Sequence, residues 1–538
     1  MKKGLIFTVM LMSVLVFGYS QTDYAVRNTS TWIEAINGIR SGGNDQKYTI
    51  TVTGNISVPA SPENTFGPVT GITVTITGGG TLSTSSNGIL LVIGRDQTII
   101  AKDLTLKGQN TNNAPVVIIT NRGTFRMEGK ATVSGNKNNS SNGGGGVYVA
   151  GGTFIMQDNA SVSGNTSSEG GGVYVAGGSF TMQDSTLVSG NTASGGGWKS
   201  CGGGVYVAGG TFTMQGGTIS RNTTSEGGGV FVADGTFTMQ DGMISENTAS
   251  NGGGGVDFEG GIFTMQGGTI SGNKATSYGG GVYGSSGMMG RTGNFNMKGG
   301  TISGNTSPEG GGVYNKGTFT MEDGTISGNT SDIIGGGVYV GGGIFTMKGG
   351  TISGNKATIY GGGVYVAEDN AYNRVGFSKT GGTFYGYNAE QNLRNTVVSR
   401  LGHAVYQAGN KSWRNTTAGP TINDDSYGFW TNDGDNDGDT VVTFPSAFAR
   451  TRQRSNFNNK LTVTENTMKS SSSNSLWILQ SVSGDRYTLK RSDAANTMTL
   501  TIKLGDYLRG SFGGSGSYSL IISGDSGNGE NNWNGTWQ

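Results

Sequence analysis

The chain has 538 residues, with 36 Lys and Arg against 35 Asp and Glu, and only 7 Pro. A net charge this close to zero excludes the strong positive charge typical of proteins that bind nucleic acid or anionic membranes. Gly accounts for 102 residues, far above the ordinary share of ~7%. Because Pro is scarce and there is no G-X-Y period, the composition argues against collagen and against simple low-complexity disorder.

Residues 1–20 have the pattern of a secretory signal peptide. Lys2 and Lys3 precede an apolar run at residues 5–17, and Gly18 and Ser20 are the small residues expected before a cleavage site at Gln21. The apolar run is too short to span a bilayer, and we expect no transmembrane segment after its removal. The sequence therefore predicts an exported, bacterial protein. Its single Cys, Cys201, leaves it without internal disulfides.

Residues 21–122 are predicted to form an N-terminal cap and the first coils of a β-helix. Thr31 and Glu34 have the spacing of a capping box. An amphipathic helix should follow, with an apolar side made of Trp32, Ile33, Ile36 and Ile39. β-rich runs such as YTITVTG and GITVTITGGG come next. A helix across the first coil would shield the open end of the stacked sheets.

Residues 123–410 carry a 24–32-residue unit that recurs about nine times. Such a unit can bury its apolar side chains only against neighbouring copies. In its first strand phrase a Phe and a Met flank a mostly polar residue, so both should point inward. These pairs are Phe125/Met127, Phe154/Met156, Phe180/Met182, Phe212/Met214, Phe237/Met239, Phe263/Met265, Phe295/Met297, Phe319/Met321 and Phe345/Met347.

The second phrase buries a Val or Ile and is followed three residues later by an Asn in every unit. The asparagines are Asn136, Asn165, Asn191, Asn222, Asn247, Asn273, Asn305, Asn329 and Asn355. We interpret them as a structural ladder at a corner, where Asn tolerates a left-handed backbone and can bind the next Asn. A row of amides that binds sugar or metal is the alternative.

The spacing of the phrases distinguishes between possible coil types. Phe and Asn are 10 or 11 residues apart in all nine units, whereas the distance from Asn to the third phrase, GGVYV, varies from 8 to 14. A constant body with a loop at a fixed corner predicts an all-β, right-handed parallel β-helix with three sides. An up-and-down antiparallel sheet would also repeat, but it gives no reason for the fixed Asn.

The third phrase predicts an aromatic stripe of outward residues, one per coil. Adjacent coils lie ~4.8 Å apart, so the side chains should stack across rungs or offer a platform to glycan rings or a partner protein. The candidate binding residues are Tyr148, Tyr174, Tyr206, Phe231, Tyr283, Tyr314, Tyr339 and Tyr365, with Asp257 at the same position in one unit and Tyr406 as a further candidate.

The repeats resemble those of bacterial right-handed β-helix surface proteins, including the polymorphic outer-membrane protein group. Units of that group carry a GGA-type turn and an Asn-ended F-x-x-N motif. GGGV at residues 144–147 corresponds to the turn, and Phe125 with Asn136, eleven residues apart, corresponds loosely to the motif. The resemblance covers about residues 123–366 and implies an adhesin or an autotransporter passenger.

Two further segments follow the repeats. Residues 411–440 are predicted to be a linker with an acidic run, whose aspartates Asp433, Asp435, Asp437 and Asp439 resemble the first half of a calcium loop. Phe444 stands where an EF-hand has its bidentate Glu, so the run is a flexible linker or a weak Ca²⁺ site. No other cofactor is expected. Residues 441–538 are predicted to form a small β-rich domain.

The sequence offers little catalytic chemistry. Acidic residues in the repeats are isolated, and His403 occupies a glycine position of the repeat. One His and one Cys cannot form a triad or a metal-ligand set. We therefore expect a non-catalytic rod, secreted or held at the cell surface or outer membrane, that binds a host or matrix protein or a glycan. A structural stalk or surface-layer protein, and a polysaccharide lyase or hydrolase, are the alternatives.

Overall fold

The protein is a parallel β-solenoid. The computed structural model describes residues 22–407, with gaps at 62–63, 141–142, 196–199, 286–291, 368–374, 386–390 and 399–404, and seven strands between residues 461 and 537. About 13 parallel turns, here called rungs, are stacked on one another. The prediction of an all-β parallel solenoid is confirmed.

The inward Phe and Met lie on the longest sheet, here called the Phe–Met sheet. Its strands are Thr22–Val26, Lys47–Val52, Thr73–Thr77, Thr98–Lys102, Thr124–Glu128, Thr153–Met156, Ser179–Met182, Thr211–Met214, Thr236–Met239, Ile262–Met265, Asn294–Met297, Thr318–Met321, Gly343–Met347 and Val375–Lys379. At ~4.8 Å per strand, this sheet is roughly 60 Å long.

The chain next enters the Thr–Ser sheet, which carries the second phrase. Its strands are Asn55–Val58, Thr81–Thr84, Thr105–Lys107, Thr132–Ser134, Ser161–Ser163, Leu187–Ser189, Thr218–Ser220, Met243–Ser245, Thr269–Ser271, Thr301–Ser303, Thr325–Ser327, Thr351–Ser353 and Thr383–Phe384.

The third phrase forms the Val–Tyr sheet, which closes each turn. Its strands are Leu91–Ile93, Val117–Ile119, Val147–Val149, Val173–Val175, Val205–Val207, Val230–Val232, Val256–Phe258, Val282–Gly284, Val313–Asn315, Val338–Val340, Val364–Val366 and Val405–Gln407. The last strand pairs Tyr406 with Tyr365, so the stretch after Tyr365 contributes a further rung.

A fourth set of short strands, the corner ladder, lies between the Thr–Ser and Val–Tyr sheets. Its strands are Thr166–Ser167, Thr192–Ala193, Thr223–Glu226, Thr248–Gly252, Lys274–Ala275, Thr306–Glu309, Thr330–Ile334, Lys356–Ala357 and Thr396–Val397. The residues directly after each Asn were predicted to be a loop. They pair across rungs because the second of them is small and buried, as at Ser167, Ala193, Ala249, Ser307 and Ala357.

Stacked aromatic rings fill the core. The register joins Phe to Phe and Met to Met, as in Phe154 with Phe180 and Met156 with Met182. From Phe125 to Phe377, neighbouring ring centroids lie 4.5–5.5 Å apart. The inward assignment of the Phe and Met positions is therefore correct, and the apolar interior continues along the whole rod.

One helix, Thr29–Ser41, packs against the first rung, as predicted for the cap. Trp32, Ala35, Ile36 and Ile39 are buried in the core that contains Val26. Two details differ from the prediction. The N-cap is Asn28 and Thr31 is its capping-box partner at the third helical position, so the helix begins before Thr31. Ile33 is 43% exposed because it lies on the outer side of this helix.

Seven consecutive antiparallel strands form a separate sheet near the end of the chain, in agreement with the predicted β-rich module. They are Leu461–Thr464, Thr467–Ser470, Leu476–Ser483, Arg486–Arg491, Thr497–Ile502, Gly516–Ser523 and Asn531–Trp537. The boundaries predicted for the linker and for this domain remain predictions. Within the described part of the chain, no helix is long and apolar enough to cross a membrane.

Candidate binding surfaces of the solenoid

The corner asparagines form a ladder along the inside of the rod. From Asn165 to Asn355, each Nδ2 donates to the Oδ1 of the Asn in the next rung and to a backbone carbonyl of the preceding rung, whereas Asn136 Nδ2 donates to the carbonyls of Ala114 and Gly145. Asn222, for example, donates to Asn247 Oδ1 at 2.9 Å and to Val188 O at 3.0 Å. Its own Oδ1 accepts the backbone N–H and the Nδ2–H of Asn191 at 2.9 and 3.0 Å. The amides from Asn165 to Asn355 are fully buried, so none is available to a sugar or a metal.

The asparagine ladder extends one rung beyond the repeats at each end. Asn112 donates to Asn136 Oδ1 at 3.0 Å, and Asn355 donates to Asn395 Oδ1 at 2.9 Å. Neither residue was predicted to belong to the ladder, because neither follows a recognisable second phrase. Their positions show that the ladder depends on stacking rather than on the full repeat.

The left-handed backbone predicted at the corner Asn lies instead at the residue before it, so that part of the prediction is wrong. This preceding residue is usually Gly, for instance Gly164 with φ +63° and Gly190 with φ +61°. Two successive rungs have Arg221 and Glu246 there instead, both with φ +56°. Arg221 Nε lies 2.7 Å from Glu246 Oε2, so an exposed ion pair joins the two strained residues.

The stripe residues of the Val–Tyr sheet stack on one another across rungs. Their ring centroids lie 4.4–5.4 Å apart in two runs, from Tyr148 to Phe231 and from Tyr283 to Tyr406. Most of these pairs are stacked or tilted, so the ring faces turn toward neighbouring rungs. Only the ring edges and the tyrosine hydroxyls can therefore face solvent. This geometry supports cross-rung stacking as one role of the stripe.

Exposure divides the predicted stripe into two groups. Phe231, Tyr283, Tyr314 and Tyr406 are buried, with at most 6% of their surface exposed. The half-buried members are Tyr148, Tyr174, Tyr206, Tyr339 and Tyr365. The stripe is therefore not the continuous exposed surface that the alternation of the third phrase suggested. That these residues bind a ligand remains a prediction.

A second column of residues covers one side of the stripe. It consists of the residue before each glycine triplet, and its members pair across rungs: Glu169, Cys201, Glu226, Gly252, Tyr278, Glu309, Ile334 and Tyr360. We call it the flanking column. Tyr278 lies 5.0 Å from Tyr314, and Tyr360 lies 4.3 Å from Tyr406, between ring centroids. Because its residue types vary, the column gives no periodic signal in the sequence.

Asp257 separates the two aromatic runs. It pairs in register with Phe231 and Tyr283 and is fully buried. Ser285 Oγ donates to its Oδ1 at 3.1 Å. A buried carboxylate thus replaces one ring of the stripe, and this position cannot be read as an exposed binding residue.

Burial also alters the ionisation of the stripe. It raises the pKa of Tyr174 to about 12, with smaller contributions from Glu169 and Tyr148. Burial also raises the pKa of Tyr406 to about 12, with smaller electrostatic contributions from Tyr360 and Tyr365. The other stripe tyrosines that shift, Tyr206, Tyr283, Tyr314 and Tyr339, also have raised pKa values, mainly through burial. Burial therefore favours the protonated form of these six tyrosines.

We expect alkaline titration to couple tyrosine ionisation to unfolding between about pH 10 and 12. An unfolded tyrosine ionises at pH 10.0, whereas Tyr174 in the folded chain ionises at about 12. Folding thus favours the protonated form, and this stabilisation is complete below pH 10 and is lost as pH rises through the folded pKa. Tyrosinate absorbance and circular dichroism should be followed together. All 20 tyrosines ionising with one midpoint near pH 10.0 in a chain that stays folded would contradict the burial of the stripe.

The outer side of the Phe–Met sheet is a regular, polar surface that the sequence analysis did not single out. Three residues of each strand phrase point outward: those on either side of Phe and the one after Met. In five successive rungs they are Thr153, Ile155 and Gln157; Ser179, Thr181 and Gln183; Thr211, Thr213 and Gln215; Thr236, Thr238 and Gln240; and Ile262, Thr264 and Gln266. We call these fifteen residues the threonine face. The repeated phrase TFTMQ was the signal that could have identified it.

The threonine face carries no charged side chain, but the rungs beyond it do. Lys298, Glu322 and Lys348 occupy the position of the glutamines in later rungs. Within the face, Gln183 Nε2 donates to Gln215 Oε1 at 2.7 Å. The face therefore offers hydroxyls, methyls and amides at fixed intervals.

Metal and catalytic candidates are few in the part of the chain that the structure covers. Among those residues, no three His, Cys, Asp or Glu side chains lie close enough together to hold a metal ion. Cys201 is buried. His403 and the predicted calcium run Asp433, Asp435, Asp437 and Asp439 lie outside the described residues.

Comparison with known proteins gives no relative. No protein-family model, curated protein or solved structure matches the chain. The resemblance to bacterial β-helix surface proteins thus remains a prediction, and any function must be argued from the solenoid itself.

Proposed function

We propose that the chain is an exported, non-catalytic surface protein whose solenoid is a rigid rod that binds a host, matrix or glycan component. The observation that carries this proposal is the repetition of the outward residues in register. For five rungs the threonine face presents nearly the same three side chains at ~4.8 Å intervals. Repeated weak contacts along a rigid body can add up to useful avidity.

The location can be tested on intact cells that produce the full chain. We expect a protease or a membrane-impermeant label to reach the protein without lysis, because a surface rod must be accessible to its partner. A periplasmic protein on the same cells is the control for leakage. Protection of the chain until the cells are lysed would rule out the proposed location.

The non-catalytic assignment is tested by an assay for polysaccharide degradation. The purified full chain should release no reducing ends or unsaturated sugars from a panel of neutral and acidic polysaccharides. The assignment is supported by the sequence, in which one His and one Cys cannot form a catalytic triad or a metal-ligand set. Sugar release that persists through purification would overturn this assignment in favour of a lyase or hydrolase.

A structural stalk is the second candidate, and the stacking of the stripe favours it. If the tyrosines serve folding alone, replacing Tyr148, Tyr174 and Tyr206 with Ser should leave cell or ligand binding unchanged wherever the chain still folds. Binding that is lost in a variant with an unaltered circular dichroism spectrum would assign the stripe to the adhesin-like role.

A further inference from the structure

We propose that the threonine face binds a single extended chain of a neutral, β-linked polysaccharide, lying parallel to the axis of the rod. The inference rests on the proposed function, since only an exported rod would meet such a polymer. It adds the location of the site and the chemistry of its ligand.

The geometry of the face is that of a grid. Strand pairing joins Thr181 to Thr213 and Thr213 to Thr238, and the same register continues to Thr264. Along the rod this column repeats every ~4.8 Å, and within a strand the two outward residues around Phe are ~6.6 Å apart, two residues at ~3.3 Å each. A ligand that repeats on a similar scale can make the same contacts at every rung.

The chemistry of the face selects a neutral, hydroxyl-rich ligand. Thr offers a donor, an acceptor and a methyl group, and Gln adds two donors and an acceptor. Because the χ1 angle of Thr is restricted by its β-branch, little side-chain freedom is lost on binding. Thr211, Gln215, Gln240 and Gln266 are exposed, and Thr213, Thr238 and Thr264 are partly exposed. No charge in the face would favour an anionic chain.

A polymer fits this surface better than a globular protein does. Protein interfaces draw most of their energy from a few buried Trp, Tyr or Arg side chains, and the threonine face contains none of these. A β-linked glycan whose sugars repeat on about the scale of the rungs meets two hydroxyls and an amide in each of the three middle rungs. In the two outer rungs, where Ile155 and Ile262 replace one hydroxyl residue, it meets one hydroxyl and one amide. Each contact is weak, and affinity should grow with the number of rungs engaged.

The test is calorimetric titration of the purified full chain with cello-oligosaccharides and with N-acetylated chito-oligosaccharides of increasing length. We expect the affinity for at least one of these series to rise with each sugar and to level off at about five, the number of uncharged rungs. Polygalacturonate serves as the anionic comparison. Affinity that does not depend on length, tighter binding of polygalacturonate, or no binding of either neutral series would overturn the proposal.

Variants locate the site. Replacing Thr181, Thr213 and Thr238 with Val keeps the shape and the β-branch but removes three hydroxyls, and should weaken binding roughly tenfold or more. The matched control replaces Thr218, Thr269 and Thr301 of the neighbouring Thr–Ser sheet with Val and should bind like the parent. Equal affinity of the two triple variants would contradict the assignment.

The binding and accessibility experiments distinguish an error in this site from an error in the proposed function. A chain that is accessible on intact cells but binds neither neutral series keeps its surface role and loses this site. A chain that binds the oligosaccharides but is protected on intact cells loses the surface role instead.

Discussion

Replacing Asn222 with Leu is expected to destabilise the middle of the solenoid by about 3–9 kcal/mol, at ~1–3 kcal/mol for each of the three buried polar groups left unpaired. The substitution removes the acceptor of the Asn191 N–H and Nδ2–H. It also removes the donor to Val188 O and one donor to Asn247 Oδ1. No water can replace these partners, because all three asparagines are fully buried.

Native-state hydrogen exchange is the suitable measurement for Asn222→Leu. Rungs contact only their neighbours, so the effect should be greatest in the rungs on either side and decay along the rod. Asn159→Leu is the matched control, since Asn159 is exposed and should change stability by no more than ~0.5 kcal/mol. Equal effects at the two positions would mean that the ladder does not stabilise the fold.

Gly254→Ala should cost about 3 kcal/mol or more through overpacking. Gly254 belongs to the glycine triplet before the Val–Tyr strand. A Cβ there would meet the carbonyl oxygen of Gly280 in the next rung and would lie 2.6 Å from the backbone carbon of Lys274. Both obstacles are backbone atoms of residues joined to the adjacent rung, Gly280 through the N–H of Gly255 and Lys274 through the carbonyl of Asn247. Neither can move aside without disturbing these hydrogen bonds.

Gly272→Ala is the control for Gly254→Ala, and thermal unfolding is the measurement. A Cβ at Gly272 meets nothing within 4 Å, but the residue has φ +63°, so this variant should lose only the ~1–2 kcal/mol of a left-handed backbone. If Gly254→Ala proved the milder of the two, close approach of the rungs would not be the reason for the glycine triplets.

Much of this fold could be predicted from the sequence because its core positions repeat. Phe and Met recur two residues apart in each unit, as at Phe212 and Met214, and a buried Val or Ile follows Phe by 7 or 8 residues. A single alternation argument therefore assigns the inward side of every rung. The Asn ladder followed from the same regularity. The corner ladder was missed because its distance to the next strand varies. The small second residue after each Asn, such as Ala193 or Ala249, was the signal that marked it.

The burial of the stripe could not be predicted, because it depends on residues without a pattern. Alternation places Tyr283 and Tyr314 outward, but Tyr278 of the flanking column lies 5.5 Å from the first ring and 5.0 Å from the second, between centroids. Glu, Cys, Gly, Ile and Tyr all occur in that column, so only the stacked structure shows what it covers. The threonine face does have a regular pattern. Thr is common in any exposed strand, however, so this pattern did not mark the face as a distinct surface.

Each repeat forms one rung, and equivalent residues of successive rungs form a straight column. Spin labels at Thr213 and Thr320, four rungs apart along the Phe–Met sheet, test this arrangement in the full chain by pulsed electron resonance. We expect one narrow distance distribution centred near ~19 Å, four steps of ~4.8 Å. A broad distribution, or a separation twice as large, would contradict the stacked solenoid and every surface built on it.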